Sequence, residues 1–213
     1  MKFAAVIPAY NEAHTIGPII STCKSCPELA EVIVVNDGSN DETSEIAHRI
    51  GATVVDLPEN QGKGAAVMAG VRATEADVIV LVDADLIGFR PYHIRRLIEP
   101  VRRGRADMTV GVFESGRAMT DLSQKIAPFL NGQRAIVRSI FDGLSDLELT
   151  RYGVDITLSR YAKQAGMRVE KVKLKAITQV MKEEKLGFWK GFSARIKMYW
   201  EILLALGYRI SNH

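Results

Sequence analysis

VIVLVDADLIG, the stretch from Val78 to Gly88, runs five apolar residues into two carboxylates, Asp83 and Asp85, with one alanine between them. A short, β-branched apolar run that ends in turn-forming residues predicts a strand buried on both faces, as in a parallel sheet. Such a strand should not end on unpaired charges. In an extended segment residues i and i+2 point the same way, so Asp83 and Asp85 would face one spot. Carboxylates that close repel each other unless a cation lies beside them. A hard divalent ion, Mg2+ or Mn2+, suits oxygen ligands and keeps open positions for phosphate oxygens. The competing reading is that both aspartates only cap the turn into Leu86-Ile87-Gly88, and the motif by itself leaves the two open.

The same grammar extends to either side. Strands are expected at Phe3 to Ile7, Glu31 to Val35, Ala52 to Asp56, Asp77 to Val82 and Asp107 to Val112. Helices are expected at His14 to Thr22, at Asp41 to Ile50 with Asn40 or Asp41 as its cap, at Gly64 to Thr74, and at Pro91 to Arg102 with proline at its start. Strands alternating with helices predict an α/β fold: a mostly parallel, twisted sheet with helices on both faces. Ligands of such sheets bind beyond the carboxyl ends of the strands. Three polar clusters fall there: Pro8-Ala9-Tyr10-Asn11-Glu12, Asp37-Gly38-Ser39 and Asp83-Ala84-Asp85. Each alone could be a turn or a cap. Their meeting at one edge suggests a site.

Composition narrows the function classes. A chain of 213 residues with 47% hydrophobic and 25% charged residues is the size and balance of one globular domain with a small appendage. A net charge of +3 argues against a nucleic-acid partner. No window of 18 residues lacks a charge, so no membrane span is expected. The opening residues are apolar too briefly for a signal peptide, which makes the expected location cytoplasmic. Cys23 and Cys26 form a CxxC, but two thiols cannot close a structural zinc site. They are expected as reduced thiols near the end of the first helix. His93 and His48 are expected on helix surfaces, and His14 at a helix start.

Taken in order and spacing, VIPAYNE, VVNDGSNDET, NQGKGAAVMAG and VLVDADL resemble the family 2-type glycosyltransferases of the GT-A fold. The resemblance implies a nucleotide diphosphate sugar as donor, a UDP-sugar foremost, with a D-x-D segment whose metal holds the diphosphate. Carried over by position, Pro8, Tyr10 and Glu12 would line the nucleotide and Asp37 would face the base. Lys63 would approach the nucleotide, Asp83 the ribose side and Asp85 the metal. Asn36 departs from the pattern, since many members have a second acidic residue there.

The second half, with SGRAMT, FLNGQRAIVRSIF and RYGVDITLSRYAKQAG, looks like the glucosyl-3-phosphoglycerate synthases. That likeness implies an acceptor phosphate and carboxylate held by Gly116, Arg117 and Thr120, and sets Asp155 where the group has glutamate. It also implies a late metal-ligand histidine, where this chain has Gln179. A neutral amide oxygen ligates Mn2+ more weakly than imidazole does. An inverting mechanism would need a carboxylate base beside the acceptor, with Asp146, Glu148 and Asp155 as candidates. A retaining one would not.

The expected organisation is a catalytic domain over residues 1–187, with a nucleotide-sugar half (1–112) and an acceptor half (113–187), followed by a basic amphipathic helix within 188–213. That helix, Phe188 to Tyr208, would rest on an anionic membrane at the inner face, pack on the domain, or form a homodimer interface. The resemblance at Gly116, Arg117 and Thr120 implies an anionic acceptor, either a phosphorylated small molecule or a lipid phosphate. Three alternatives stay open: a non-catalytic nucleotide-sugar binder, a polyprenyl-phosphate sugar transferase, and a nucleotidyltransferase, although PAYNE is no glycine-rich phosphate loop.

Overall fold

The computed structural model describes residues 1–114, 132–144 and 153–179. The chain divides into two compact units, Met1–Thr178 and Gln179–His213. Only Gln179 of the second is described, so the expected helix from Phe188 lies outside the described residues.

Strands β1 (Phe3–Ala9), β2 (Leu29–Asn36), β3 (Thr53–Asp56) and β4 (Val78–Leu81) run parallel, with β1 between β2 and β4. A short strand, β5 (Leu86–Ile87), lies outside this sheet and pairs with the strand that starts at Thr178. The sheet continues through β6 (Met108–Glu114), β7 (Arg134–Val137) and β8 (Val169–Lys175) in the spatial order β3-β2-β1-β4-β7-β6-β8. Among the described strands of this sheet only β7 is antiparallel to its neighbours, with Leu81 opposite Arg134. The amino end of β7 therefore arrives at the edge where β1, β2 and β4 finish.

Alternation along the strands divides the core between two faces. Ala5, Ile7, Val34, Val78 and Val80 face α1 (Ile16–Lys24) and α4 (Pro91–Arg102), through Ile16, Ile19, Ile20, Ile94, Leu97 and Ile98. Ala4, Val6, Ile33, Val35, Ile79 and Leu81 face α3 (Lys63–Arg72), the one-turn helix α5 (Ser139–Asp142) and α6 (Val154–Gln164). This is the expected α/β sheet with helices on both faces. The helix at Pro91 to Arg102 has the expected bounds. The first helix starts later than expected, because the Glu12 carbonyl accepts the N–H groups of Thr15 and Ile16 in a turn that precedes it. Helix α2 (Thr43–Arg49) likewise begins after Asp41, whose Oδ1 accepts the Thr43 N–H at 3.0 Å. Among the described residues no helix is long and apolar enough to cross a membrane.

Cys23 and Cys26 are buried free thiols. Burial raises both, and the Cys26 thiol, which also donates to Glu28 Oε2, is pushed up to about 11. Buried and held protonated, neither is a ready thiolate.

His93 corrects an expectation. It is fully buried, whereas His48 lies exposed beside Asp56 as expected. The His93 ring stacks on Phe89, its Nδ1 accepts the Arg90 N–H at 3.0 Å, and its Nε2 is 2.8 Å from the Lys175 carbonyl. With Nδ1 accepting, the proton sits on Nε2 and the ring is neutral. The helix therefore uses His93 to reach back to its own N-cap and across to the end of β8.

Two outcomes follow. Burial holds His93 below the ordinary imidazole value. Below about pH 6.5 the unfolded chain therefore takes up a proton that the folded chain refuses, and stability falls as pH falls. Denaturant unfolding of His93→Gln should show a shallower loss between pH 7 and pH 5 than the unsubstituted chain. Gly70 lies in α3 over the sheet, where an added Cβ would drive into Val6 Cγ1 and lie 3.0 Å from Val35 Cγ2. Alanine gains about 1 kcal/mol of helix propensity, but overpacking against stiff valines costs about 1–3 kcal/mol. Gly70→Ala should lower the denaturant midpoint.

Candidate active site

Three loops at the carboxyl edge are laced together by their own polar groups. Beyond β1 the Asn11 N–H donates to Ser39 Oγ at 2.9 Å, the Glu12 N–H to Thr43 Oγ1 at 2.8 Å and the Ala13 N–H to Asp41 Oδ2 at 3.0 Å. In return Asn11 Oδ1 accepts the Asn40 N–H at 2.8 Å. The polar clusters after β1 and β2 are thus one structure. Pro8 ends up half-buried at this edge, beyond the last β1–β4 pair, Val6 with Leu81. Tyr10 follows it with 44% of its surface exposed, free to offer a ring face to a ligand. The Glu12 carboxylate accepts the Thr15 hydroxyl at 2.8 Å, and His14 is exposed in the turn between them.

Asn36 and Asp56 are register partners at the ends of β2 and β3, and Asn36 Nδ2 donates to Asp56 Oδ1 at 2.8 Å. A second acidic residue at position 36 would set two carboxylates against each other. The amide removes that repulsion, which is the physical reason for the departure noted above. Asp37 is 3% exposed, and its two oxygens accept the N–H groups of Gln61 (2.8 Å) and Gly62 (2.9 Å). Sequence placed it facing a base; its carboxylate faces the backbone that leads into α3.

Lys63 opens α3, and its ammonium lies between two carboxylates: 2.7 Å from Asp83 Oδ1 and 3.3 Å from Asp155 Oδ2. Burial by itself would lower Lys63, but Asp155 and Asp83 outweigh it and hold the ammonium above its ordinary value. Asp83 Oδ2 also accepts Gln133 Nε2 at 2.8 Å. Asp155, in the first turn of α6, lies 3.5 Å from Arg134 Nε, and its carbonyl accepts Arg134 Nη2 at 3.0 Å. Arg134 is fully buried. Burial draws its guanidinium down and the two aspartates hold it up, and it remains a cation at neutral pH. Two cations and two carboxylates thus compensate one another in a half-buried cluster drawn from α3, β4, β7 and α6.

Gly132, Gln133 and Arg134 are the site residues that sequence reasoning missed. A Cβ on Gly132 would lie 2.5 Å from Asp83 Oδ1 and 2.7 Å from Lys63 Nζ, so a side chain there would displace the carboxylate or the ammonium from its place. A signal existed: Gln133 and Arg134 are strongly polar residues opening an otherwise apolar strand.

Asp85 is half-buried in a turn, because β4 stops at Leu81 and residues 84–85 leave the extended path. The i, i+2 rule used to pair Asp83 with Asp85 therefore does not apply. Gln179 closes β9 (Thr178–Gln179), and its side chain lies outside the described residues, as do Gly116, Arg117, Thr120, Asp146 and Glu148. Among the described residues no group of three His, Cys, Asp or Glu side chains converges on one point. The hard carboxylate oxygens of Asp85 fit Mg2+ or Mn2+ as such ions bind with phosphates, through one or two carboxylates and ligand oxygens rather than an all-protein cage.

The chain is 32% identical over 151 residues to undecaprenyl-phosphate 4-deoxy-4-formamido-L-arabinose transferase of Edwardsiella ictaluri, covering 65% of this chain and 46% of that one. It is 37% identical over 109 residues to glucosyl-3-phosphoglycerate synthase of Mycolicibacterium smegmatis, covering 46% and 35%. It spans less than half the length of either relative. Among solved structures it is similar to glucosyl-3-phosphoglycerate synthase of Mycobacterium tuberculosis in complex with Mn2+, UDP and glucosyl-3-phosphoglycerate. The TM-score is 0.69 at 26% identity, over 84% of this chain and 72% of that one. The model of glycosyl transferase family 2 matches residues 4–170, most of the chain, including the segments that carry Asp37, Lys63, Asp83 and Asp155, and the chain belongs to that family.

Proposed function

We propose that the chain transfers a sugar from a nucleoside diphosphate sugar, a UDP-sugar foremost, to an anionic acceptor, with Mg2+ or Mn2+ at Asp85. The observation that carries this reading is the Lys63–Asp83–Asp155–Arg134 cluster at the carboxyl edge. It holds an ammonium at a half-exposed site where a diphosphate leaving group would gain charge. A preset cation in a partly dry site stabilises such charge without reorganising when the bond breaks. Asp83 and Asp155 fix the position of that ammonium, while Gln133 and Arg134 fix the two carboxylates. Tyr10 is suited to lie along a base or ribose. The metal supplies further charge neutralisation to the diphosphate.

Two relatives support an acceptor with a phosphate: one is named for undecaprenyl phosphate and the other for 3-phosphoglycerate. Gly116, Arg117 and Thr120 are the residues proposed to hold it, since a guanidinium fork makes two-point contacts with phosphate or carboxylate. Glu148 and Asp155 are the carboxylates proposed to take the acceptor's proton if transfer inverts. A membrane-resting tail would favour the lipid phosphate, and the cytoplasmic side is where such a donor and acceptor would meet.

The test is a panel of UDP- and GDP-sugars with Mn2+, read as slow release of the nucleoside diphosphate. Release of UDP that stops with a chelator, and that falls about a hundredfold or more in Asp85→Asn, is the expected result. Release from no donor, or release indifferent to chelation, would count against the reading.

A further inference from the structure

The buried carboxylate of Asp37 does not point at open space. It accepts two successive backbone N–H groups, Gln61 at 2.8 Å and Gly62 at 2.9 Å, from a loop 24 and 25 residues further along the chain. A carboxylate that is 3% exposed is costly to bury without such donors. Here the donors belong to the two residues immediately before Lys63. The neighbouring backbone confirms how tightly the two segments interlock. Gly38 has φ +67°, and a Cβ there would lie 2.5 Å from the Glu59 carbonyl carbon and 2.6 Å from the Asn60 nitrogen. Gly62 has φ +87° and is the N-cap of α3, but carries no side chain to close that helix start. The Asp37 carboxylate, beside it in space, takes over the anchoring that a capping side chain would give.

We infer that Asp37 is a positioning residue that acts through Lys63: it holds the Asn60–Gly62 loop and so sets where the Lys63 ammonium meets a diphosphate. This deepens the proposed function and rests on it, because it assigns Lys63 to the phosphates of the nucleotide. It differs from a base-reading role for Asp37. A base reader serves any uracil nucleotide, whereas a clamp on Lys63 serves only ligands with the distal phosphate.

The experiment measures UDP and UMP binding, with Mn2+, to the unsubstituted chain, Asp37→Asn, Lys63→Met and the double variant. Amide hydrogen exchange is followed over residues 59–63. Asparagine keeps one acceptor oxygen and turns an NH2 toward the second N–H. The expected loss is about tenfold to a hundredfold for UDP with little change for UMP. In the Lys63→Met background the Asp37→Asn loss should vanish, and exchange at Gln61 and Gly62 should speed up. Gly38→Ala, which leaves the Asp37 carboxylate intact but pushes on Glu59 and Asn60, should reproduce the UDP-selective loss. Equal losses for UDP and UMP, or an undiminished Asp37→Asn loss in the Lys63→Met background, would overturn the inference. So would unchanged exchange at Gln61 and Gly62. If the unsubstituted chain binds neither nucleotide, the proposed function fails, while the exchange measurement still decides whether Asp37 clamps the loop.

Discussion

Lys63 reaches Asp83, twenty residues on, and Asp155, ninety-two residues on, with one ammonium. That pair of contacts joins the parallel part of the sheet to the first turn of α6, across segments that share no local sequence. A lone ammonium at a half-buried spot, or two carboxylates facing each other there, would be unfavourable. Together, with Arg134 behind them, the charges compensate, and each fixes the others in place. The geometry of the carboxyl edge follows from this compensation: α3 must start where its first side chain can reach β4, and α6 must start beside β7.

The antiparallel strand β7 makes the arrangement sterically possible. Inserted between β4 and β6, it presents Gly132 where a side chain would collide with Asp83, Gln133 where a donor meets that carboxylate, and Arg134 where a buried cation can face Asp155. In a fully parallel sheet this position would hold the carboxyl end of a strand, and the residues that open that strand would lie at the opposite edge. Reversing one strand lets three consecutive residues furnish the floor of the site. The same economy of backbone appears at Asp37, where one carboxylate and one glycine hold a loop that has no side-chain cap of its own.

Much of the fold was legible because its strands are short, continuous apolar runs ended by polar turn residues, and α4 was legible to the residue because Pro91 marks its start. The three clusters after β1, β2 and β4 could be placed at one edge by topology alone. What could not be read were interactions that need tertiary distance. Asp83 and Asp85 were paired by strand periodicity, yet the chain turns at Ala84 and Asp85. His93 reads as a surface residue of a basic helix, yet its ring is consumed by the Arg90 N–H and the Lys175 carbonyl. Asp37-Gly38 looks like any turn until Gln61 and Gly62 come beside it. The Gly-Gln-Arg run entered only as part of a family likeness, because a polar start to an apolar strand marks the place without telling a buried arginine from a solvated one.

A crystal structure of the chain with UDP and Mn2+ tests the central claim most directly. The expected result is the diphosphate at the carboxyl edge, with Lys63 Nζ within hydrogen-bond distance of a phosphate oxygen, Mn2+ on Asp85, and Asp155 still held by Arg134. A diphosphate bound elsewhere, or one at this edge with Lys63 still bridging Asp83 and Asp155 and touching no phosphate oxygen, would contradict it.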